Sequence, residues 1–265
     1  MIQSFTTAGG AAFDDADVAR SYACRPPYAS AAIVALAGLP AARRRALDLG
    51  CGPGKLAGPL ALHFAQVTAL DPSGPMLAEA RRLWPADNIR WLQASDAGAP
   101  LDEPYDLVTA GTSIHFMDHA TLFPRLAHAT GLFATVSGDH PPAPPWKAVW
   151  DEAMDLWLRR VGRTPDPAGF HAFGHRHEAW IDFLGRRAFA FTVSQPLDAF
   201  IRGQHSRATW ARAAMGADLA QAFDADLERR LRPWTADGRL TYELVTEVVW
   251  GRPRSSPQPA ATGEA

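Results

Sequence analysis

Short apolar runs alternate with amphipathic stretches along the first half of the chain. Arg45–Leu49, Val67–Leu70, Asn88–Gln93, Tyr105–Ala110 and Leu132–Ser137 are runs of four to six residues, too short for buried helices. They read as strands. Between them the pattern changes to helical spacing over Lys55–Phe64, from the cap Ser73 to Trp84, and over Ala120–Thr130, where Gly131 supplies a stop. Pro59 and Pro75 fall near first turns, where an amide hydrogen would be unbonded in any case. Strands alternating with helices predict a parallel sheet covered on both faces. Right-handed crossovers then bring the C-terminal end of each strand to one side, where ligands bind.

The flanking regions read differently. The first dozen residues are small and polar and are expected to be loose. Asp14–Tyr28 mixes charge with aromatics, and Arg25-Pro26-Pro27-Tyr28 should break any helix near Cys24. Ala29–Leu39 is a short apolar helix closed by Pro40. Beyond Ser137, the pairs Pro141-Pro142 and Pro144-Pro145 exclude regular structure, and Trp146–Val161 resumes as an amphipathic helix. A Pro-, Gly- and His-rich loop follows over Gly162–Gly174. Arg187–Ser194 and Leu240–Trp250 supply sixth and seventh strands, with helices over Leu197–Arg232 between them, and the tail from Ser255 is expected to be disordered.

Composition narrows the function classes. At 265 residues the chain can bury a full core without a metal or disulfide staple. Its formal charge of -2 supplies no global field for gripping phosphates, and Arg43–Arg45 and Arg229-Arg230 are short clusters that suit solvated helix ends. No nucleic-acid partner is expected. Two cysteines, Cys24 and Cys51, make no disulfide framework and suit a reducing cytoplasm. No signal peptide is visible and no apolar stretch approaches the roughly 18 residues of a membrane span, so no membrane partner is expected. His171, His175 and His177 with Glu178 lack a recognised metal-site spacing and read as a solvated loop, so no metal is expected.

The most informative stretch is Ala46-Leu47-Asp48-Leu49-Gly50-Cys51-Gly52-Pro53-Gly54. A strand ends, three glycines alternate with other residues, and a helix begins. Glycine permits backbone angles that side chains resist, and its bare surface lets a ligand lie against the main chain. A dinucleotide loop spaces its glycines G-x-G-x-x-G, whereas here the third glycine arrives one residue early. Asp48 would also repel a pyrophosphate, yet it could receive hydrogen bonds from a ligand ammonium. The loop therefore suits a cofactor with an amino-acid end.

These residues resemble the class I methyltransferases that use S-adenosyl-L-methionine. Leu47–Gly54, with Asp48, Gly50, Cys51 and Gly52, matches their first motif; Asp71 in Ala69-Leu70-Asp71-Pro72-Ser73 matches their second acidic position. Asp96 in Gln93-Ala94-Ser95-Asp96-Ala97 matches a third, and Tyr105–Val108 the fourth strand. The resemblance implies that Asp71 accepts both ribose hydroxyls and that Asp96, flanked by Ser95 and Ala97, lies near the adenine. Pro72, Met76 and Thr112 are expected on the same cofactor wall. A closer resemblance is to small-molecule members, including proteins similar to trans-aconitate methyltransferase. It is carried by Tyr22-Ala23-Cys24-Arg25-Pro26-Pro27-Tyr28 and by Ser113-Ile114-His115-Phe116-Met117-Asp118. There the N-terminal segment folds over the cofactor, and Arg25 either pairs with the methionine carboxylate or stacks at the surface on Tyr28.

The resemblance implies a Rossmann-like seven-stranded, mostly parallel α/β sheet with an antiparallel last strand and a helical cap. It divides the single domain into an N-terminal lid at about 1–40, a cofactor-binding half at 41–138, a substrate cap with the last two strands at 139–254, and a tail at 255–265. The expected activity is in-line methyl transfer to a small-molecule oxygen, nitrogen or carbon. The rival is a cyclase or rearrangement enzyme on the same scaffold. His115 is the candidate base, or else a cofactor contact or the partner of a loop carbonyl. Trp146, Trp150, Trp157, Trp180 and Trp210 read as core or as an aromatic pocket wall, and Arg202, Arg207 or His205 would serve a carboxylate substrate.

Overall fold

The computed structural model describes residues 12–138, 143–163 and 176–258. The expected loose N-terminus, Pro141-Pro142, the loop histidines His171 and His175, and the end of the tail lie outside the described residues.

The strands are β1 (Arg45–Leu49), β2 (Gln66–Asp71), β3 (Ile89–Gln93), β4 (Leu107–Gly111), β5 (Phe133–Ser137), β6 (Ile181–Pro196) and β7 (Arg239–Pro253). They form one sheet in the order β3-β2-β1-β4-β5-β7-β6. The first five are parallel, and β7 runs antiparallel to both β5 and β6. This is the expected mostly parallel sheet with an antiparallel last strand. Because the order reverses between β1 and β4, a crevice opens at the carboxyl ends of those two strands.

Successive residues of the central strands feed opposite cores. Ala46, Val67 and Leu107 face one cluster with Ile33, Leu36 and Leu60. Leu47, Leu49, Leu70 and Val108 face the other with Leu122, Phe123 and Phe133. Each fully buried leucine contributes about 1.5–3 kcal/mol relative to exposure.

The helices are α1 (Ala16–Tyr22), α2 (Ser30–Ala37), α3 (Ala57–Leu60), α4 (Gly74–Leu83), α5 (His119–Ala129), α6 (Lys147–Arg160), α7 (Leu197–Gln204), α8 (Arg212–Met215) and α9 (Ala217–Leu231). Their starts follow local chemistry. Asp15 accepts from the amides of Asp17 and Val18, Ser73 from that of Met76, and Asp118 from that of Ala120.

Two expectations are corrected. The helix expected over Lys55–Phe64 shrinks to Ala57–Leu60 between turns. Gly58 lies against Trp84, where a Cβ would come within 2.1 Å of the indole, and Pro59 brings no amide hydrogen. The last two strands are much longer than their apolar patterns suggested. The antiparallel ladder carries β6 from Ile181 to Pro196 despite a bulge at Phe183/Gly185, and Phe183 remains 64% exposed.

A further apolar cluster joins α6, α7 and α9 to the outer strands. It buries Trp146, Trp157, Phe200, Phe223 and Leu244. Trp157 donates from Nε1 to Asp226 at 3.0 Å, and Trp210 stacks on Phe223. Trp180 stacks on Phe123. The spaced tryptophans are therefore chiefly core, although Trp146 and Trp150 also face a cavity.

Candidate active site

The chain leaves β1 through Gly50 and Gly52, at φ of 62° and 53°. A Cβ on Gly50 would lie 2.7 Å from that of Ser113, while one on Gly52 would meet nothing within 4 Å. Gly50 is thus required by both angle and space, whereas Gly52 bares its backbone to an open volume.

Asp71, at the end of β2, bends back onto this loop. Its Oδ2 accepts from the Gly52 amide at 2.8 Å and its Oδ1 from the Ser73 amide at 2.9 Å. Burial pushes its carboxyl above the usual range, and the two amides partly offset that. Asp48 is fully buried beneath the loop, and the Thr109 hydroxyl donates to it at 2.8 Å. Burial pushes Asp48 up to about 7, against the Thr109 bond.

A cavity of about 340 Å³ opens between the glycine loop, the end of β2 and the segment after β4. Gly50, Gly52, Asp71, Pro72, Met76, Ser95, Asp96 and Thr112 all line it. Asp96 also accepts from the Asp118 amide at 3.0 Å, which ties the β3 and β4 loops together. Thr112 holds a left-handed φ of 52°, uncommon outside glycine, and its amide donates to Val136 at 2.9 Å. Above the cavity, Phe13 meets Tyr22 and Phe116 edge-on at 6.1 and 6.0 Å. The Ser73 hydroxyl anchors it by donating to the Phe13 carbonyl at 2.6 Å. Tyr22 and Phe116 belong to motifs read from the sequence, whereas Phe13 carried no motif signal, because only the packing of the N-terminal segment brings it over the cavity.

A smaller recess adjoins the cavity through Tyr22, Gly50 and Gly52, and is lined also by Asp48, Cys51, Tyr28 and Lys55. The Lys55 ammonium lies 5.2 Å from the Tyr28 ring and 5.8 Å from that of Tyr22. The sequence signal for Lys55 was its place directly after the last glycine of the loop.

Three expected residues are not among those lining this cavity. The Ala97 carbonyl accepts from Arg125 at 3.0 Å, and Ala97 is not among the cavity-lining residues. His115 packs on Phe116 at 4.1 Å, and burial, then the neighbouring His119, lowers its pKa and so favours the neutral imidazole. Ser113, Phe116 and Met117 line the cavity while His115 does not. Arg25 donates from Nε to the Ser206 hydroxyl at 2.7 Å and lies 4.2 Å over the Tyr22 ring, so its stacking partner is Tyr22 rather than Tyr28. Arg25 and Arg207 line a separate cavity of about 230 Å³, bounded by α6, α7 and β7.

His205 is fully buried between the Trp210 carbonyl and Asp224, both at 2.6 Å, and so braces the core instead of facing a cavity. His177 is buried 6.3 Å from His119. Among the described residues no group of three His, Cys, Asp or Glu is placed to hold a metal, and no helix is long and apolar enough to cross a membrane.

The fold and crevice define a doubly wound α/β protein that receives a nucleoside-type ligand at the carboxyl edge of its strands. A family described as a methyltransferase domain matches residues 46–130. Trans-aconitate 2-methyltransferase of Methylobacterium nodulans is 31% identical over 235 residues, covering 76% of this chain and 83% of that protein. Malonyl-[acyl-carrier protein] O-methyltransferase of Enterobacter lignolyticus is 42% identical over 85 residues, 31% of this chain and 33% of that one. A protein from Anaeromyxobacter dehalogenans, provisionally described as a type II methyltransferase, shares the fold at a TM-score of 0.66 and 23% identity, covering 88% of this chain and 99% of that chain. The chain belongs to the S-adenosylmethionine-dependent methyltransferase family that includes the trans-aconitate methyltransferases.

Proposed function

We propose that the chain methylates a small-molecule acceptor, with the nucleoside of S-adenosyl-L-methionine held in the 340 Å³ cavity and its amino-acid end over the glycine loop. The observation that carries this reading is the Asp71 carboxylate. Two amides fix it at the cavity wall, and its remaining lone pairs suit the two ribose hydroxyls. Gly50 and Gly52 give the cofactor backbone contact, and buried Asp48 answers its ammonium. Cys51 shapes the recess, while Pro72, Met76, Ser95, Asp96 and Thr112 frame the nucleoside. Ala97 acts through its backbone by positioning Arg125.

Residues before about 40 serve as the lid, 41–138 as the cofactor half, and residues after 139 as the substrate cap. The net charge and cysteine usage support a cytoplasmic enzyme without nucleic-acid or membrane partners.

The bound cofactor supplies an electrophilic methyl on a sulfonium. The protein's task is then alignment, which can contribute roughly 7–11 kcal/mol. The His115 imidazole, its pKa lowered by burial, is able to accept a proton from an acceptor that must lose one. A carboxylate acceptor would need no base. The name of the trans-aconitate relatives makes small organic acids the first acceptors to try.

Calorimetry with S-adenosylhomocysteine, followed by turnover on a panel of small acids, amines and phenols, tests the proposal. Tight binding and release of S-adenosylhomocysteine with one acceptor are expected. Absence of any binding would refute it. If the acceptor is a phenol or amine, His115→Ala should lower turnover strongly while cofactor affinity stays within a few-fold.

A further inference from the structure

Phe13, just before α1, and Tyr22, at its end, both line the cofactor cavity. The apolar anchor of α1 is slight. Val18 and Ala19 pack with Met76 of the cavity wall and with Ala211, just before α8. We infer that Arg212 is a positioning residue that latches α1 over the bound cofactor, and that this latch sets how fast the spent cofactor leaves. The inference rests on the methyl-transfer reading above and adds to it the residue that holds the lid.

Asp17 of α1 meets Arg212 with a divided carboxylate. Its Oδ1 accepts from Arg20 of the same helix at 3.4 Å. Its Oδ2 is buried and, among the described residues, accepts no hydrogen bond; the Arg212 Nε stands 3.6 Å away. Arg212 is itself held, donating from Nη2 to Asp224 at 2.7 Å, and Asp224 is bonded to buried His205. The cation therefore belongs to the frame, while the carboxylate it answers belongs to the lid. A carboxylate oxygen buried without a hydrogen bond is tolerated only beside a positive charge. With α1 lifted, Oδ2 returns to water. With α1 closed and the guanidinium removed, it is stranded. Arg212 thus biases the closed position by more than an exposed ion pair would.

The other end of the lid is tied by a neutral contact. Ser73 donates to the Phe13 carbonyl at 2.6 Å, and the same hydroxyl accepts from the Met76 amide at the start of α4. A nucleoside beneath Phe13 and Tyr22 can leave only when α1 gives up both ties. Lid opening, rather than chemistry, limits turnover in many enzymes.

Surface plasmon resonance on the full chain, with S-adenosylhomocysteine as the probe, reads both rates. Arg212→Met should raise the dissociation and association rates roughly tenfold each, and leave the equilibrium affinity within about threefold of wild type. Adding Asp17→Ala to Arg212→Met removes the stranded oxygen and should bring both rates back to within about threefold of wild type. Damage to the frame would not be repaired by deleting a carboxylate on the lid. Hydrogen exchange of the unliganded chain should quicken across residues 13–22 in Arg212→Met and return in the double variant, while β1 and β4 stay as in wild type. If Arg212→Met melts early, Arg212→Gln, which keeps a donor for Asp224, takes its place. Rates unchanged in the single variant, or equally fast in the double variant, overturn the inference and leave the methyl-transfer reading standing. A wild type that binds no S-adenosylhomocysteine sinks both.

Discussion

Asp48 and Asp71, in the sheet half, take their hydrogen bonds from neutral donors: a threonine hydroxyl and two backbone amides. Burial raises both, Asp48 to about 7. Asp224 and Asp226, in the half beyond residue 143, are also pushed up by burial, yet other contacts outweigh it. His205 and Arg212 hold Asp224 low, and Trp157, Arg230 and Arg229 do the same for Asp226. The first pair is thus left electrostatically unsatisfied where a ligand can complete it. The second pair is already completed by the fold, and Arg212 extends its network to Asp17 on α1 at 3.6 Å. Carboxylates held at a cost mark the site, and carboxylates matched by cations mark the frame.

The sharpest way to break this contrast is Asp71→Ala. Affinity for S-adenosylhomocysteine should fall by about 100-fold, as for loss of charge-assisted bonds, while the melting temperature hardly drops. A collapse of stability would make Asp71 structural instead. Asp224→Ala should do the reverse. Leaving buried His205 without its carboxylate should cost about 2–3 kcal/mol in urea melts, with cofactor affinity within threefold. Loss of binding without loss of stability would reverse the assignment of the two halves.

A smaller effect comes from pH. Folded Asp48 stays protonated up to about 7, while the carboxyl in the unfolded chain ionises near the ordinary 3.8. Stability should therefore fall as pH rises from about 4 to 7, with the cost fully present above that window. Ligand binding runs oppositely, because an ionised Asp48 answers the ammonium. Affinity for S-adenosylhomocysteine should rise several-fold, up to about tenfold, from pH 6 to 8. Asp48→Asn should flatten both curves, and a wild-type affinity that is level over this range would remove Asp48 from the site. The smallest effect is expected outside both networks. Arg82→Ala, which breaks an exposed pair with Glu79, should change stability by less than about 0.5 kcal/mol in the same melts and leave binding untouched.

The two halves also differ in how legible they were. Strand-to-loop chemistry in the first half is local. Gly50 and Gly52 take their left-handed angles within a few residues of Asp48, and Asp71 follows one helix later. The cavity wall formed by Pro72, Met76, Ser95, Asp96 and Thr112 was therefore accessible through the family resemblance that these local motifs carry. Arg25 was legible as part of a motif, but its direction was not, because Ser206 lies 181 residues away. His115 was placed by its neighbours, yet the turn at Ile114–Phe116 carries it off the cavity wall.

By itself the sequence determined the strand–helix alternation and the glycine turn, since each depends on backbone angles and periodicities set within a few residues, while the acidic position Asp71 was read through the family resemblance that those motifs carry. Tertiary structure decided the length of β6 and β7, the burial of His205 against Asp224, and the bond from Arg25 to Ser206. Those outcomes arise from ladders and contacts between distant segments, whose free energy is gained only when the chain has closed the loops between them.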